Sequence, residues 1–182
     1  MEDLSLHILD IAQNSIAAEA SRIDITIKED IRKDLLSIEI TDNGAGLDSD
    51  TVSRATDPFY TTRKTRDVGL GLALFNEAVD SSNGNLTIKS QKGKGTKVKA
   101  TFQLSNIDRR PMGNIGETLL VLIIGNPKIS FSFLYQKNSK KFSFDTELIK
   151  NSINGHLQSS SENIRFIAGT LNDGLKNLGV SA

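Results

Sequence analysis

The sequence predicts an α/β (α+β) two-layer sandwich, in which helices cover one face of a mixed, largely antiparallel sheet. Three observations support this fold class. A helical pattern at the N-terminus is followed directly by two segments in which apolar and polar residues alternate, as in half-buried strands. A second helical pattern precedes two more alternating segments joined by a glycine-containing turn. The apolar content of 37% and charged content of 24% are those of an ordinary globular protein.

The first helix is predicted over roughly residues 4–19. Its core-facing positions recur at helical spacing and are Leu4, Ile8, Ile11, Ala12 and Ser15. Two strands follow, at residues 22–29 and about 36–42, with a charged turn at 31–33 between them. The isoleucines at 23, 25 and 27 share one face of the first strand, and Leu36, Ile38 and Ile40 share one face of the second.

The next predicted element is a long polar loop over roughly residues 48–68, a length that is typical of functional or disordered loops. A helix follows at about 71–82 and ends near Gly84, a residue suited to a left-handed helix end. Two alternating strands, 85–90 and 96–104, then form a hairpin and complete the unit.

Changes in composition divide the chain into three predicted parts. Residues 1–104 form the main domain, residues 105–146 form a small helix-hairpin extension, and residues 147–182 form a helical or partly disordered tail. In the tail, apolar residues recur at the spacing of a weak amphipathic helix.

Composition also excludes several functional classes. The chain has no cysteine and only two histidines, which excludes disulfides, thiolate zinc sites and a cysteine nucleophile and argues against a histidine-rich metal site. The 22 basic residues balance 22 acidic ones, so we expect no nucleic-acid or membrane partner. The longest apolar run, residues 119–124, is too short to span a bilayer, and the N-terminus lacks the basic start of a signal peptide. We therefore expect a cytoplasmic protein.

Asp42 is the first candidate site residue. It shares the inward parity of Ile38 and Ile40, so it faces the core if the strand continues, and a carboxylate there needs hydrogen-bond donors. Gly44 and Gly46 allow a sharp turn and the close approach of a flat ligand. An adenine, whose exocyclic amine donates a hydrogen bond, suits such a carboxylate. The alternative is an ordinary Asx turn at the end of the strand.

Thr96 is the second candidate, because it shares inward parity with the core residues of the last strand. Its hydroxyl is expected on the same face of the sheet as Asp42, where it can bind a ligand together with Asp42, directly or through water. The alternative is the ordinary β-propensity of threonine.

A phosphate site is indicated where the second helix begins. Glycines at a helix start expose free backbone amides at the positive end of the helix dipole. The residues at this start are Gly69, Leu70, Gly71 and Leu72. The loop just before them carries hydroxyls and cations suited to a lid over a triphosphate, namely Thr62, Arg63, Lys64 and Arg66. The alternative for the loop is a solvated charged segment.

Three polar residues lie along one stripe of the first helix. The Asn14 amide oxygen is a suitable hard ligand for Mg²⁺, and Asp10, one turn earlier, is placed to orient or deprotonate an attacking water. The alternative is an exposed polar helix face. His7 shares the stripe, and we expect it to be a helix-surface or capping residue.

Together these motifs resemble the GHKL superfamily (Bergerat fold) of gyrase B, heat-shock chaperones, histidine kinases and MutL. Its N-box resembles residues 10–14, its two glycine boxes resemble residues 42–46 and 69–72, and its late glycine-threonine resembles residues 95–96. The resemblance implies that residues 1–104 bind ATP and Mg²⁺, with adenine on Asp42, magnesium on Asn14 and phosphates near the second glycine box.

Within the superfamily the chain resembles MutL around residues 14–25 and certain histidine kinases around residues 57–72. Two positions depart from these relatives. Kinases commonly have lysine where this chain has Ala17, and the hydrolytic members and anti-sigma serine kinases have glutamate where it has Asp10. There is no room before the N-box for a dimerisation helix, so a complete sensor kinase is not expected. As a whole the chain resembles small stand-alone ATP-binding proteins encoded beside iron-only hydrogenase genes.

Three functions follow from the resemblance. The first is a regulatory protein kinase acting in trans on a protein substrate. The second is a slow ATPase whose lid closure drives partner binding, as in MutL. The third is a nucleotide-sensing module without turnover. A protein partner is expected, and a homodimer is possible.

Overall fold

The computed structural model describes residues 3–55, 70–152 and 161–180, and within these ranges the chain forms six strands and six α-helices. The strands are β1 (Arg22–Asp30), β2 (Leu35–Asp42), β3 (Asn85–Gln91), β4 (Gly95–Gln103), β5 (Ser130–Lys137) and β6 (Lys140–Asp145). The helices are α1 (Leu4–Ala17), α2 (Ser49–Arg54), α3 (Leu70–Asp80), α4 (Ile115–Gly125), α5 (Thr146–Ser152) and α6 (Ser161–Asn177). A 3-10 turn, Ile31–Lys33, joins β1 to β2.

The six strands form one sheet in the order β3-β4-β2-β1-β5-β6. Four neighbouring pairs are antiparallel, and only β1 and β5 run parallel. The predicted mixed, largely antiparallel sheet is therefore confirmed. The parallel pair requires a long connection, and α4 lies in the connection from β4 to β5.

Alternation along the central strands decides which face of the sheet is buried. Ile25 of β1 lies opposite Ile40 of β2, and both are at most 2% exposed. The residues that alternate with these isoleucines, such as Thr26 of β1 and its partner Glu39 of β2, are polar and lie on the open face. Because side chains in a strand alternate between faces, this pattern fixes the register, since a slip by one residue would expose every isoleucine.

Helices cover the buried face as one layer. α1 contacts α3 on one side and α4 on the other, and α4 in turn contacts α6. α1 begins at an aspartate cap, because Asp3 Oδ1 accepts a hydrogen bond from the Leu6 amide at 3.0 Å. The helical layer over one face of the sheet matches the predicted sandwich.

The C-terminal half contributes to the same sheet and core. Phe131, Phe133 and Tyr135 of β5 are at most 1% exposed, and they join the core that β1 and β2 begin. α6 buries Leu171 beneath it and approaches β6 closely, since a side chain at Gly174 would overlap the Phe142 ring. None of the described helices is long and apolar enough to cross a membrane.

Three local features differ from the sequence-based expectation. α1 ends at Ala17 rather than at 19, because Glu19 takes a left-handed conformation with φ of 58°. The stretch expected to be loop from residue 48 contains α2, which begins where Asp48 Oδ1 accepts a hydrogen bond from the Thr51 amide at 2.8 Å. After α3, the left-handed residue is Asn83 with φ of 53°, not Gly84.

The expectation that His7 lies on the helix surface is wrong. His7 is 2% exposed, its ring centroid lies 5.1 Å from that of Phe75, and its Nδ1 has no hydrogen-bond partner among the described residues. The helical stripe that holds His7 faces α3, which the sequence of α1 alone does not reveal. Burial, followed by nearby positive charge that includes Arg110, lowers the pKa of His7 to about 4, and Asp3 opposes this shift.

This lowered pKa predicts a loss of stability in mild acid. The folded state keeps His7 neutral, whereas the unfolded chain takes up a proton near pH 6.5. The contribution of neutral His7 to the free energy of unfolding is therefore fully present above pH 6.5. It is lost as the pH falls towards about 4, and the total loss is roughly 2–3 kcal/mol. Urea unfolding at pH 7.5 and pH 4.5 should show a smaller loss in His7→Leu than in the wild-type chain. Equal losses in the two proteins would show that His7 is not responsible.

Candidate functional site

Asp42 ends β2 with its side chain facing the core, as its parity predicts, and the residue is 9% exposed. Its Oδ1 accepts hydrogen bonds from the backbone N–H of Gly44 at 2.9 Å and of Thr96 at 3.2 Å. Its Oδ2 accepts a hydrogen bond from Ser15 Oγ at 2.6 Å. An ionised carboxylate has about four acceptor positions, so one position remains that no donor among the described residues fills. A ligand N–H suits this position, and a ligand carbonyl does not.

Sequence reasoning placed Ser15 in the core but missed its bond to Asp42. The hydroxyl is 3% exposed and also lies 3.4 Å from the Ile11 carbonyl oxygen, one turn back along α1. Ser15 and Asp42 are 27 positions apart in the sequence, so no local sequence pattern predicts their contact. The available signal was a hydroxyl among apolar residues on the buried face of a helix. Such a group needs a partner, because an unpaired buried hydroxyl is costly.

Asn43 fixes the turn that follows Asp42, a role that the sequence analysis also missed. Its Oδ1 accepts hydrogen bonds from the backbone N–H groups of Ser21 and Arg22, both at 2.9 Å. Its Nδ2 donates to Ser21 Oγ at 2.8 Å. One side chain therefore ties the glycine turn to the start of β1, which holds the Asp42 backbone in place.

Glycines surround Asp42 because backbone passes close to it on several sides. A Cβ at Gly44 would lie 2.6 Å from the Ala18 carbonyl oxygen. Gly46 and Gly95 have positive φ values of 67° and 95°, and a side chain at either would overlap backbone. The sequence analysis expected these glycines to admit a ligand. The structure gives a second reason, which is the close packing of the chain around the carboxylate.

Thr96 also lies at the site, but its direct contact with Asp42 differs from the predicted one. The backbone N–H of Thr96 donates to Asp42, while its hydroxyl lies 2.8 Å from Ser90 Oγ. Ser90 Oγ in turn accepts a hydrogen bond from the Leu47 amide at 2.7 Å. The start of β4 is thus joined to β3 and to the glycine turn by hydroxyl groups.

Asp10 and Gly71 bring α1 and α3 together. A Cβ at Gly71 would overlap the Asp10 carboxylate and would lie 2.7 Å from its Cγ. Gly71 is the second residue of α3, so the carboxylate lies at the positive end of that helix dipole. Asn14 is half-buried one turn further along α1. The structure therefore places the predicted catalytic aspartate beside the helix start where phosphates are expected.

The family follows from this constellation and from the sequence of residues 2–106. Those residues match the sequence model of the family described as histidine kinase-, DNA gyrase B-, and HSP90-like ATPase. The chain belongs to this family. Membership implies that the GHKL domain binds ATP.

The relatives with similar sequences are sensor proteins and kinases. Sensor protein DegM from a Bacillus species is 34% identical over 91 residues, which cover 50% of this chain and 24% of that protein. Sensor protein kinase WalK from Staphylococcus haemolyticus is 34% identical over 92 residues, which cover 48% of this chain and 15% of that protein. The chain thus spans less than a quarter of the length of these curated relatives.

Two solved structures share the fold. The N-terminal domain of a DNA repair protein matches with a TM-score of 0.58 and 19% identity, over 96% of this chain and 59% of that one. The Aquifex aeolicus MutL ATPase domain complexed with ADP matches with a TM-score of 0.50 and 16% identity, over 86% and 70% of the two chains. At this identity the matches show the GHKL-like fold, and they extend beyond residue 106 into the C-terminal half.

Part of the predicted GHKL site lies outside the described residues. The lid residues Thr62, Arg63, Lys64 and Arg66 belong to that part, as does Gly69, and Leu70 is described only in its backbone. Leu72 is half-buried and packs against the core.

The described residues also define an open groove of about 310 Å³ beside Asp42. Lys89 and Lys97, which contribute to its lining, belong to the open face of the sheet. This groove is therefore not the predicted cleft between helices and sheet.

Magnesium is the metal that the donor chemistry fits best. The described residues contain no group of three histidine, cysteine or acidic side chains that could hold a metal. A lone amide oxygen such as that of Asn14 suits Mg²⁺, which usually keeps waters and substrate phosphates as its other ligands. The resemblance to the GHKL superfamily assigns this role to Asn14.

Replacing Asp42 by asparagine should abolish ATP binding measured by calorimetry. The amide NH₂ would present a donor where the adenine amine requires an acceptor, and a loss of roughly 100-fold or more is expected. Asp108→Asn, at an exposed loop position, is the matched control and should bind as the wild type does. If Asp42→Asn binds ATP normally, the adenine assignment is wrong.

Replacing Ser15 by alanine should weaken ATP binding by a smaller factor, roughly 5- to 10-fold, because the Asp42 carboxylate loses one of its orienting donors. Ser5→Ala is the control. Ser5 is also buried on α1, but its Oγ donates to Asp3 at 2.8 Å and not to Asp42. Both variants should lose stability in urea unfolding, but only Ser15→Ala should lose ATP affinity. An equal loss of affinity in both would indicate a general effect on the fold.

Proposed function

We propose that this GHKL protein binds Mg-ATP and acts as a regulatory kinase in trans, transferring the γ-phosphate to a separate protein. The observation that carries the proposal is the position of Asp10. Its carboxylate lies against Gly71 at the start of α3, beside the expected phosphate site. Aspartate is one methylene shorter than the glutamate of the hydrolytic members and of the anti-sigma serine kinases, so it reaches less far from α1 towards a water molecule.

The adenine end of the pocket supports nucleotide selection. The Asp42 carboxylate accepts three hydrogen bonds from the protein and has an acceptor position left for the adenine amine. Guanine carries a carbonyl where adenine carries its amine, and two acceptors facing each other repel. The site therefore favours ATP over GTP.

Sequence likeness favours kinase chemistry. Residues 57–72 resemble the lid and second glycine box of histidine kinases, and the curated relatives described above are a sensor protein and a sensor protein kinase. In this proposal Asn14 holds magnesium, which neutralises phosphate charge when it is bound. The resemblance implies that Lys64 and the arginines 63 and 66, which lie outside the described residues, contribute positive charge for the phosphates. The acceptor is a side chain of a partner protein. The resemblance of the chain as a whole to small stand-alone ATP-binding proteins encoded beside iron-only hydrogenase genes supports a regulator that acts on a separate protein.

A slow ATPase of the MutL type is the second candidate, because residues 14–25 resemble the MutL N-box region. In that case closure of the lid on ATP would drive partner binding, and Asp10 would activate water. A sensor that binds ATP without turnover is the third.

ATP labelled on its γ-phosphate separates these functions. A kinase acting in trans should release little free phosphate alone and should label a protein when cell extract is added. Labelling should disappear in Asp42→Asn. Release of free phosphate by the pure protein would instead support the ATPase, and tight binding with neither product would support the sensor.

The variant Asp10→Asn tests the role of the carboxylate. A general base contributes roughly 10²- to 10⁴-fold to a rate, so a hydrolytic Asp10 predicts a loss of that size in phosphate release. The kinase proposal predicts a much smaller change in any residual hydrolysis. ATP affinity measured in parallel should stay within about threefold of wild type, because this change preserves the side-chain shape beside Gly71.

A further inference from the structure

One edge of the sheet is self-complementary. β6 is the last strand on the side opposite β3, and its six residues read Lys-Lys-Phe-Ser-Phe-Asp. Lys141, Ser143 and Asp145 lie on the open face of the sheet, because Asp145 forms an ion pair there with Arg22 at 3.1 Å. Phe142 and Phe144 point to the helical side, where Phe144 is 5% exposed and Phe142 is half-buried.

The backbone groups of β6 alternate between its partner strand and the outside. β5 and β6 are joined by a two-residue turn closed by the pair Lys137 and Lys140. Counting from that pair, the N–H and C=O groups of residues 140, 142 and 144 face β5, and those of 141, 143 and 145 face away from it. No other described strand pairs with these outward groups, so they can pair with an additional strand.

We propose that β6 pairs in an antiparallel manner with β6 of a second copy of this chain, around a two-fold axis at Ser143. In this register Lys141 lies opposite Asp145 of the second copy, and Ser143 lies opposite its own counterpart. Phe142 lies opposite Phe144 on the helical side. The outward backbone groups meet one another, and the two sheets become one sheet of twelve strands.

Charge selects this register and this edge. A lysine on an edge strand ordinarily opposes pairing with another strand. Here each Lys141 faces an aspartate, and opposite charges across a strand pair are favourable. Shifting the axis to Phe142 would place Lys141 opposite Ser143 and would remove both ion pairs. The other edge, β3, carries Lys89 and no acidic residue, so it has no such match with itself.

The interface does not depend on nucleotide, so its test is separate from that of the proposed kinase. Sedimentation equilibrium of the wild-type chain, measured at protein concentrations up to about 100 µM, should show a dimer. Lys141→Asp and Asp145→Lys should each weaken self-association by roughly tenfold or more, because each places like charges in both symmetric contacts. An equimolar mixture of the two variants should associate again, because the charges then match in both contacts. Lys92→Asp, at an exposed position in the β3–β4 turn, is the control and should leave the dimer unchanged.

A second measurement covers the case in which Asp145→Lys disturbs the fold by losing its bond to Arg22. The chain has no cysteine, so Ser143→Cys introduces a single thiol at the proposed axis. Paired residues in such a ladder have Cα atoms about 5.5 Å apart, a separation that a disulfide spans. Mild oxidation should give a cross-linked dimer for Ser143→Cys and none for Thr87→Cys on β3. A monomeric wild-type chain, or a dimer that is unaffected by the charge variants and does not cross-link at residue 143, would overturn the proposal.

Discussion

The hydrogen bonds to the Asp42 carboxylate come from three parts of the chain that are far apart in the sequence. Ser15 donates from α1, Gly44 from the turn after β2, and Thr96 from the start of β4. The buried carboxylate is therefore stable only when the helix, the turn and the strand are all in place. Asn43 and the surrounding glycines support this arrangement, because they allow the backbone to pass close enough to donate hydrogen bonds to Asp42.

The same helix carries both ends of the proposed site. Ser15 donates a hydrogen bond to the Asp42 carboxylate, which is proposed to bind adenine, and Asp10 lies against Gly71 at the start of α3. Because α1 is a rigid element buried between α3 and α4, the distance between the two ends is set by its rise of 1.5 Å per residue. If adenine binds at Asp42 and phosphates bind at the start of α3, as proposed, this one helix holds a residue at each end of the nucleotide.

The C-terminal half is part of the same structural unit as the nucleotide-binding half. β5 runs parallel to β1, and its buried aromatic residues complete the core of the sheet. Tyr135 of β5 also donates its hydroxyl to Glu29 of β1, and burial, followed by the bond to this carboxylate, raises the Tyr135 pKa. Because β5 and β6 lie beyond β1 in the sheet, the β6 edge is separated from Asp42 on β2 by β1 and β5. A partner that docks on β6 would therefore not compete with the nucleotide.

The sequence by itself determined the layers of the fold and the inward orientation of Asp42, because strand and helix periodicities are local properties of the chain. It also placed the predicted N-box and glycine boxes in an order that identifies the superfamily. Tertiary structure decided what these residues touch. The bond from Ser15 to Asp42, the close approach of Asp10 to Gly71 and the burial of His7 against Phe75 all join elements whose relative position no local pattern contains. The pairing of β5 with β1 could not be predicted from the sequence either. Two strands about a hundred residues apart pair only when the folded core leaves a free strand edge and an apolar face that the second strand can cover.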